Sequence, residues 1–152
     1  WFRFVLPNCS LLERGAGQLV LEKQIMPEID HFSELAFEEL CQQFFWDMGI
    51  YGRLSFVPQT IGKWWNNQNE IDLVILGDQM AELVDCKWSN QALGSNDLVD
   101  LERKAELVRA DLPTHQIHFG LCSRSGFTRQ LVEIAHQRND VSLFPLPMIL
   151  KG

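Results

Sequence analysis

Residues 69–88 read NEIDLVILGDQMAELVDCKW, and this stretch decides the fold. Two apolar runs rich in branched residues flank a loop at residues 77–80, a pattern that predicts a β-hairpin. Three of the charged side chains that interrupt it stand out: Asp72 in the first run, and Asp85 and Lys87 at the end of the second. Charged groups are costly to bury unless they are paired. What stabilises these three inside a predicted core is therefore the question that the sequence raises.

The length of the hairpin loop determines whether the charged side chains meet. Side chains alternate between the two faces of a strand, so Asp85 and Lys87 share a face. A four-residue loop pairs Leu76 with Ala81. Asp72 then lies directly opposite Asp85, with Cβ atoms roughly 5 Å apart. A two-residue turn makes the two acids diagonal neighbours on one face at about 7–8 Å, and only a three-residue loop separates their faces.

Two carboxylates at such a distance repel each other. At about 5 Å and an effective dielectric constant of about 20, the repulsion is roughly 3 kcal/mol. A Mg²⁺ or Mn²⁺ ion between Asp72 and Asp85 would remove this repulsion, because Mg²⁺ is bound by one or two carboxylates and keeps several waters. A lysine beside a metal-bound water is suited to phosphodiester hydrolysis, in which Lys87 orients or deprotonates the nucleophile. A simple ion pair between Lys87 and either acid explains the same residues without catalysis.

Composition and charge limit the classes of function. The 152 residues suit one domain, and 46% hydrophobic and 22% charged residues are typical of a globular protein. A net charge of −7 counts against a protein that coats nucleic acid, but not against an enzyme whose acids surround a cation. No apolar run approaches the roughly 18 residues of a membrane span. Because Trp1 and not Met comes first, we expect a piece of a longer polypeptide.

The cysteines indicate a reducing compartment. No C-x-x-C pair occurs among Cys9, Cys41, Cys86 and Cys122. This spacing argues against a zinc site and a disulfide framework, and favours four buried thiols in a cytoplasmic protein.

The rest of the chain predicts an α/β protein with a mixed sheet. Residues 16–26 suggest a helix ended by Pro27, and a second helix runs from about Asp30 to a stop at Gly49. Its predicted buried face contains Phe37, Leu40, Cys41, Phe44 and Met48.

Three strands, a helix, a strand, a helix and a last strand follow. The extended segments are residues 54–65, the two hairpin strands, 117–122 and 141–143. Asn96 or Asp97 is positioned to cap the first of these helices, and Thr128 the second. A strand that follows a crossover helix pairs in parallel with a neighbour, so the sheet is mixed.

With its surroundings, the hairpin resembles the active site of the PD-(D/E)xK nuclease superfamily, which has the restriction-endonuclease-like fold. The family pattern is an Asp, a spacer, and then Asp/Glu-x-Lys, which Asp72 and Asp85-Cys86-Lys87 match. The resemblance implies an α-β-β-β-α-β core, Mg²⁺ or Mn²⁺ held by Asp72, Asp85 and the backbone carbonyl of Cys86, and catalysis assisted by Lys87. It also implies a glutamate on the helix before the sheet, for which Glu38 is the candidate.

More narrowly, the chain is similar to the uncharacterised C-terminal domain of archaeal-type AAA+/STAND ATPases. The resemblance implies that residues 1–28 form a helical extension joining an absent ATPase and winged helix, and that residues 29–152 form the nuclease-like domain. No P-loop motif occurs in this chain. The matching segments are WFRFVLPN, AFEELC, the GKWW of residues 62–65, EIDLV, DCKW and SGFT.

Two functions follow as expectations. The first is a metal-dependent, cytoplasmic nuclease that acts on DNA brought to it by its ATPase. The second is an inactive, nuclease-derived module that regulates the ATPase or forms a homodimer, which exposed aromatic surface around Trp1, Phe2 and Trp64 would favour.

Overall fold

A computed structural model describes residues 6–113 and 115–151, without the side chains of residues 27, 28, 30 and 31. The chain divides into two compact units, the first ending at Ala36 and the second beginning at Phe37. The predicted division into residues 1–28 and 29–152 refers to an adjoining ATPase and remains a prediction. Among the described residues, no helix combines the length and apolarity needed to cross a membrane.

Short helices make up the first unit. A 3-10 turn at Leu6–Asn8 is followed by α1 (Cys9–Glu13), α2 (Gly17–Val20), a π-helical segment (Leu21–Ile25) and the start of α3 (Met26–Ile50). The prediction that Pro27 ends a helix is wrong, because Pro27 is the second residue of α3. Proline is tolerated in the first turn of an α-helix, where its missing N–H is not required.

In the second unit, α3 presents the predicted apolar face. Phe37, Cys41, Phe44 and Met48 are buried, as their helical spacing predicts. Gly49 does not end the helix, which continues to Ile50. A Cβ atom on Gly49 would lie 2.3 Å from Cδ of Pro58, so this glycine permits the following loop to pack closely against the helix.

The predicted mixed α/β architecture is confirmed. One five-stranded sheet has the order β1-β2-β3-β4-β5; β1, β2 and β3 pair antiparallel, and β3, β4 and β5 pair parallel. The first strand is shorter than the predicted residues 54–65, because Pro58 and its neighbours precede it in a loop. The strands are β1 (Thr60–Trp65), β2 (Glu70–Leu76), β3 (Met80–Lys87), β4 (Gln116–Ser123) and β5 (Val141–Pro145).

Three helices follow the hairpin: α4 (Ser95–Val108), α5 (Arg129–Gln137) and α6 (Leu146–Ile149). The prediction that Asn96 or Asp97 is the N-cap of α4 is wrong, because the N-cap is Gly94; the Asp97 carboxylate, inside the first turn, accepts a hydrogen bond from the Gly94 N–H at 2.7 Å. The Thr128 hydroxyl accepts from the Leu131 N–H at 3.3 Å, which confirms the predicted cap of α5.

The sheet carries one apolar core cluster on each face. On one face, Ala81 and Leu83 of β3 pack with Leu101 and Ala105 of α4. On the other face, the neighbouring β3 residue Val84 packs in a cluster with buried residues of α3. The alternation of side chains along β3 thus directs successive residues to different helices.

Candidate functional site

The hairpin adopts the register expected for the four-residue loop. Leu76 pairs with Ala81, and the ladder continues to Leu73 opposite Val84. The Gly77 N–H donates to the Met80 carbonyl at 2.9 Å and closes the turn. The paired positions end there, and Asp72 and Asp85 are the next residues of the two strands beyond the ladder.

A β-bulge changes the path of β2 at Asp72. Between two successive paired positions, β1 contributes only Lys63, whereas β2 contributes both Asp72 and Leu73. Beyond this bulge, Ile71 packs in the α4-side cluster although Leu73 packs in the α3-side cluster. Strict alternation predicts one face for both residues. The sequence did not reveal the bulge, which re-aims the side chain of a key acid.

Asp72 lies buried at the point where the β2–β3 ladder ends. Its side chain is 7% exposed, and its carboxylate accepts a hydrogen bond from the Cys86 N–H of β3 at 2.7 Å. Burial raises the pKa of Asp72 to about 6, against the effect of this hydrogen bond, and the charges of Asp85 and Glu38 raise it further. Asp72 is therefore a buried acid with negative neighbours.

Asp85 faces α4 and is flanked by two lysines. The Lys87 Nζ lies 3.5 Å from one carboxylate oxygen of Asp85, and the Lys104 Nζ lies 3.9 Å from the other. Burial raises the pKa of Asp85, although both lysines act to lower it. Lys104 was not among the residues predicted for this site. Its position directly before the buried Ala105 was the available signal that it lies near the sheet.

Lys87 is held in its charged form. Burial acts to lower the pKa of Lys87, but the charges of Asp85 and Asp72 outweigh this effect and the net pKa is raised. An ammonium group donates hydrogen bonds and attracts negative charge, but cannot accept a proton. Both predicted roles of Lys87 stay predictions; the charged form that this environment favours suits the orientation of a nucleophile.

Glu38 reaches the site from the opposite helix, α3. Its carboxylate lies 2.9 Å from the Lys63 Nζ, which also lies 3.9 Å from Glu70. The hydrogen bond with Glu38 raises the pKa of Lys63. Glu38 acts electrostatically on Asp72, whereas Asp85 and Lys87 are on the α4 side. Asp72 is thus influenced by the charges of both groups, Glu38 on the α3 side and Asp85 with Lys87 on the α4 side.

The thiol of Cys86 points away from the acids. Its Sγ atom and those of Cys41 and Cys122 all lie within 4.8 Å of one another. All three residues are buried, whereas Cys9 is only half-buried, so the expectation of four buried thiols is wrong for Cys9. The sequence did not reveal this group because its members are far apart along the chain.

The acid residues fit a hard divalent cation. Among the described residues, no basic side chain lies within 4.0 Å of the Asp72 carboxylate, although Asp85 and Glu38 both have lysine partners. A buried carboxylate without a cationic partner is unfavourable, and an ion would relieve it. Two carboxylates with water suffice for Mg²⁺. In the part of the chain that the structure describes, Asp72 and Asp85 do not belong to any group of three or more carboxylate, histidine or cysteine ligands within 4.8 Å of one another.

Known proteins resemble this chain over most of its length. A protein of Methanocaldococcus jannaschii, "Uncharacterized protein MJECL04", is 31% identical over 117 residues, which are 73% of this chain and 26% of that protein. The chain therefore spans about a quarter of the length of this relative. A solved structure, "Crystal Structure of Protein of Unknown Function AF1548", aligns with a TM-score of 0.42 and 15% identity over 74% of this chain and 65% of the other. Residues 1–104 match a described family, and the chain belongs to it: "DUF234: Archaea bacterial proteins of unknown function".

Proposed function

We propose that the chain is a metal-dependent phosphodiesterase of the PD-(D/E)xK type that cuts DNA. We propose further that it works in the cytoplasm as the C-terminal part of an ATPase. The observation that supports this best is Asp72, a buried acid that has no basic side chain within 4.0 Å among the described residues and whose pKa is influenced by the charges of Asp85 and Lys87. Such a pair of acids with a charged lysine provides what hydrolysis of a phosphodiester requires.

In this proposal, Asp72, Asp85 and the Cys86 carbonyl hold Mg²⁺ or Mn²⁺. When bound, the ion supplies a Lewis acid that polarises a phosphate oxygen and activates water. Lys87 donates hydrogen bonds that orient the nucleophile or stabilise charge on the phosphate, since its raised pKa keeps it protonated. Glu38 is an outer residue that favours a cation at Asp72 by its negative charge.

DNA contacts in this proposal are few and local. Trp88 directly follows the DCK motif, and the guanidinium of Arg124 lies 4.5 Å from the centre of its ring. Arg124 is therefore one candidate for a phosphate contact. Lys104, beside Asp85, is a second candidate. Because the net charge is −7, the affinity for DNA is assigned to the ATPase and its neighbouring domains.

The test is cleavage of supercoiled plasmid and of single-stranded DNA by the 152-residue chain with Mg²⁺, Mn²⁺ or EDTA. We expect metal-dependent nicking that is lost in Asp85→Asn. Glu70→Gln is the matched control, because Glu70 is an acid of the same strands with a side chain that is 63% exposed. Cleavage that survives Asp85→Asn would come from a contaminant.

A second candidate is an inactive, nuclease-like module. Lysines already neutralise Asp85 and Glu38, and a site so neutralised has less need of an ion. Trp1 and Phe2, which this reading invoked, lie outside the described residues. Trp64 is half-buried against the core, and the exposed tryptophan of the pair is Trp65, at 71%.

Calorimetry separates the two candidates. Absence of Mg²⁺ and Mn²⁺ binding, together with absence of cleavage, would favour the inactive module. Analytical ultracentrifugation would then show whether the module forms a homodimer.

A further inference from the structure

Three buried thiols converge from three separate elements of the second unit. Cys41 comes from α3, and Cys86 and Cys122 are directly paired on the parallel strands β3 and β4. Their exposures are 0%, 8% and 0%, and their Sγ atoms all lie within 4.8 Å of one another. This group, called the thiol triad below, lies on the opposite face of β3 from Asp85.

The surroundings of the thiol triad contain aromatic rings. Phe37, Phe44 and Phe144 belong to the same buried cluster. Among the described residues, no histidine or carboxylate joins the triad within 4.8 Å. Among the described residues the ligand set is therefore three sulfur atoms in a mainly apolar cluster, and the nearby acid Glu82 is outside it.

Such a ligand set selects a particular class of ion. Soft thiolates favour Cu(I) and other thiophilic metals over Mg²⁺ and Ca²⁺. Structural zinc sites have four protein ligands in a tetrahedron, and this site offers three. We propose that Cys41, Cys86 and Cys122 form a binding site for a soft, thiophilic ion of the Cu(I) type, coordinated by three sulfurs.

The geometry of the triad is compatible with this assignment. Sγ atoms that all lie within 4.8 Å of one another can contact one ion placed between them. Because the thiolate and not the thiol is the metal ligand, binding releases the thiol protons to solvent.

A bound ion would join α3 to β3 and β4. Cys41 lies one turn beyond Glu38 on α3, and Cys86 lies between Asp85 and Lys87 on β3. The ion would therefore fix the helix and strand that carry the acidic residues. The proposal does not depend on the nuclease function, because metal binding by the triad is measured without DNA.

The experiment uses the reduced 152-residue chain and Cu(I) alone, under anaerobic conditions with a competing chelator. We expect native mass spectrometry to show one Cu(I) per chain and X-ray absorption to show three sulfur neighbours. Bound Cu(I) should raise the melting temperature, because the folded site holds three sulfurs together and binds the ion more tightly than the unfolded chain does. Separate Cys41→Ser, Cys86→Ser and Cys122→Ser variants should lose this ion. Cys9→Ser, outside the triad, is the matched control and should retain it.

Three results would overturn the proposal. The first is that the reduced chain binds no Cu(I) against the chelator. The second is that folded serine variants still bind it with three sulfurs. The third is a preference for Zn²⁺ with four ligands over Cu(I). If a serine variant fails to fold, as judged by circular dichroism, the spectrum of the unmodified chain decides between three sulfurs and another coordination.

Discussion

Residues 85–87 of β3 belong to two sites of opposite chemistry. Asp85 and Lys87 face α4, where carboxylate and ammonium groups are paired; this side of the sheet, with Asp72, is called the acidic face below. Cys86, between them, faces α3 among the thiols of Cys41 and Cys122 and aromatic rings; this side is called the sulfur face. Because alternate side chains of a strand point to opposite faces, one tripeptide serves both. The comparison shows that each side of the sheet sets its own chemistry.

The largest expected effect concerns the acidic face. Asp72→Asn should reduce metal-dependent cleavage by at least about 100-fold, as for loss of a group that stabilises charge in the transition state. The same change should stabilise the metal-free protein at neutral pH by about 3 kcal/mol, because the folded pKa of Asp72 is about 6 rather than 3.8. Plasmid nicking and urea unfolding measure the two effects.

The sign of the pH effect provides the control for Asp72→Asn. An acid whose pKa is raised by folding binds more protons in the folded state, so stability falls as pH rises from about 4 to about 6. The difference in unfolding free energy between the unmodified protein and Asp72→Asn should therefore change only in this pH window. Mg²⁺ should then stabilise the unmodified protein more than the variant. A variant that nicks normally would exclude Asp72 from catalysis.

The second effect concerns the sulfur face, where Glu82 is buried near Cys122. Burial raises the pKa of Glu82 from 4.5 to about 7. Glu82→Gln should therefore leave stability nearly unchanged below pH 4.5 and increase it by about 3 kcal/mol above pH 7, with the difference growing between these values. Urea unfolding of both proteins from pH 4 to pH 8 measures it. A difference that does not change with pH would contradict a raised pKa.

The third effect concerns how tightly the sulfur face is packed around Gly120. A Cβ atom on Gly120 would lie 3.0 Å from Glu82 Oε1 and 3.0 Å from Val84 Cγ2. Gly120→Ala should cost about 1 kcal/mol, because its neighbours must move by a few tenths of an ångström. Gly62→Ala, with no atom within 4 Å of the new Cβ, is the control and should be near neutral. Equal costs for both would indicate a loosely packed sulfur face.

The acidic face was the more predictable of the two. Asp85 and Lys87 are two residues apart on a strand, so alternation alone brings them together, and the hairpin register then brings Asp72 to β3. The bulge at Asp72 has no sequence signal of its own, since it depends on how β1 pairs with β2. Lys104 could not be assigned either, because the packing of α4 decides where its long side chain reaches.

The sulfur face was hidden because its residues meet only in the folded protein. The helical spacing of α3 correctly placed Cys41 toward the core, and alternation correctly turned Cys86 away from Asp85. Cys122 lies opposite Cys86 only because β4 pairs in parallel with β3 in this register. A non-local register of this kind depends on the whole sheet. A helix cap such as Thr128 depends only on neighbouring residues, and it was predicted.

The smallest expected effect lies at the edge of the acidic face. Lys63→Gln removes the 2.9 Å ion pair with Glu38, whose partners have side chains 35% and 22% exposed. Solvent screens such a pair, so stability should change by at most about 0.5 kcal/mol, and less at high salt. A double-mutant cycle with Glu38→Gln measures the coupling. If Glu38 assists the metal site, Glu38→Gln should reduce cleavage while Lys63→Gln preserves it. Equal losses in the two variants would instead make the ion pair itself the functional unit.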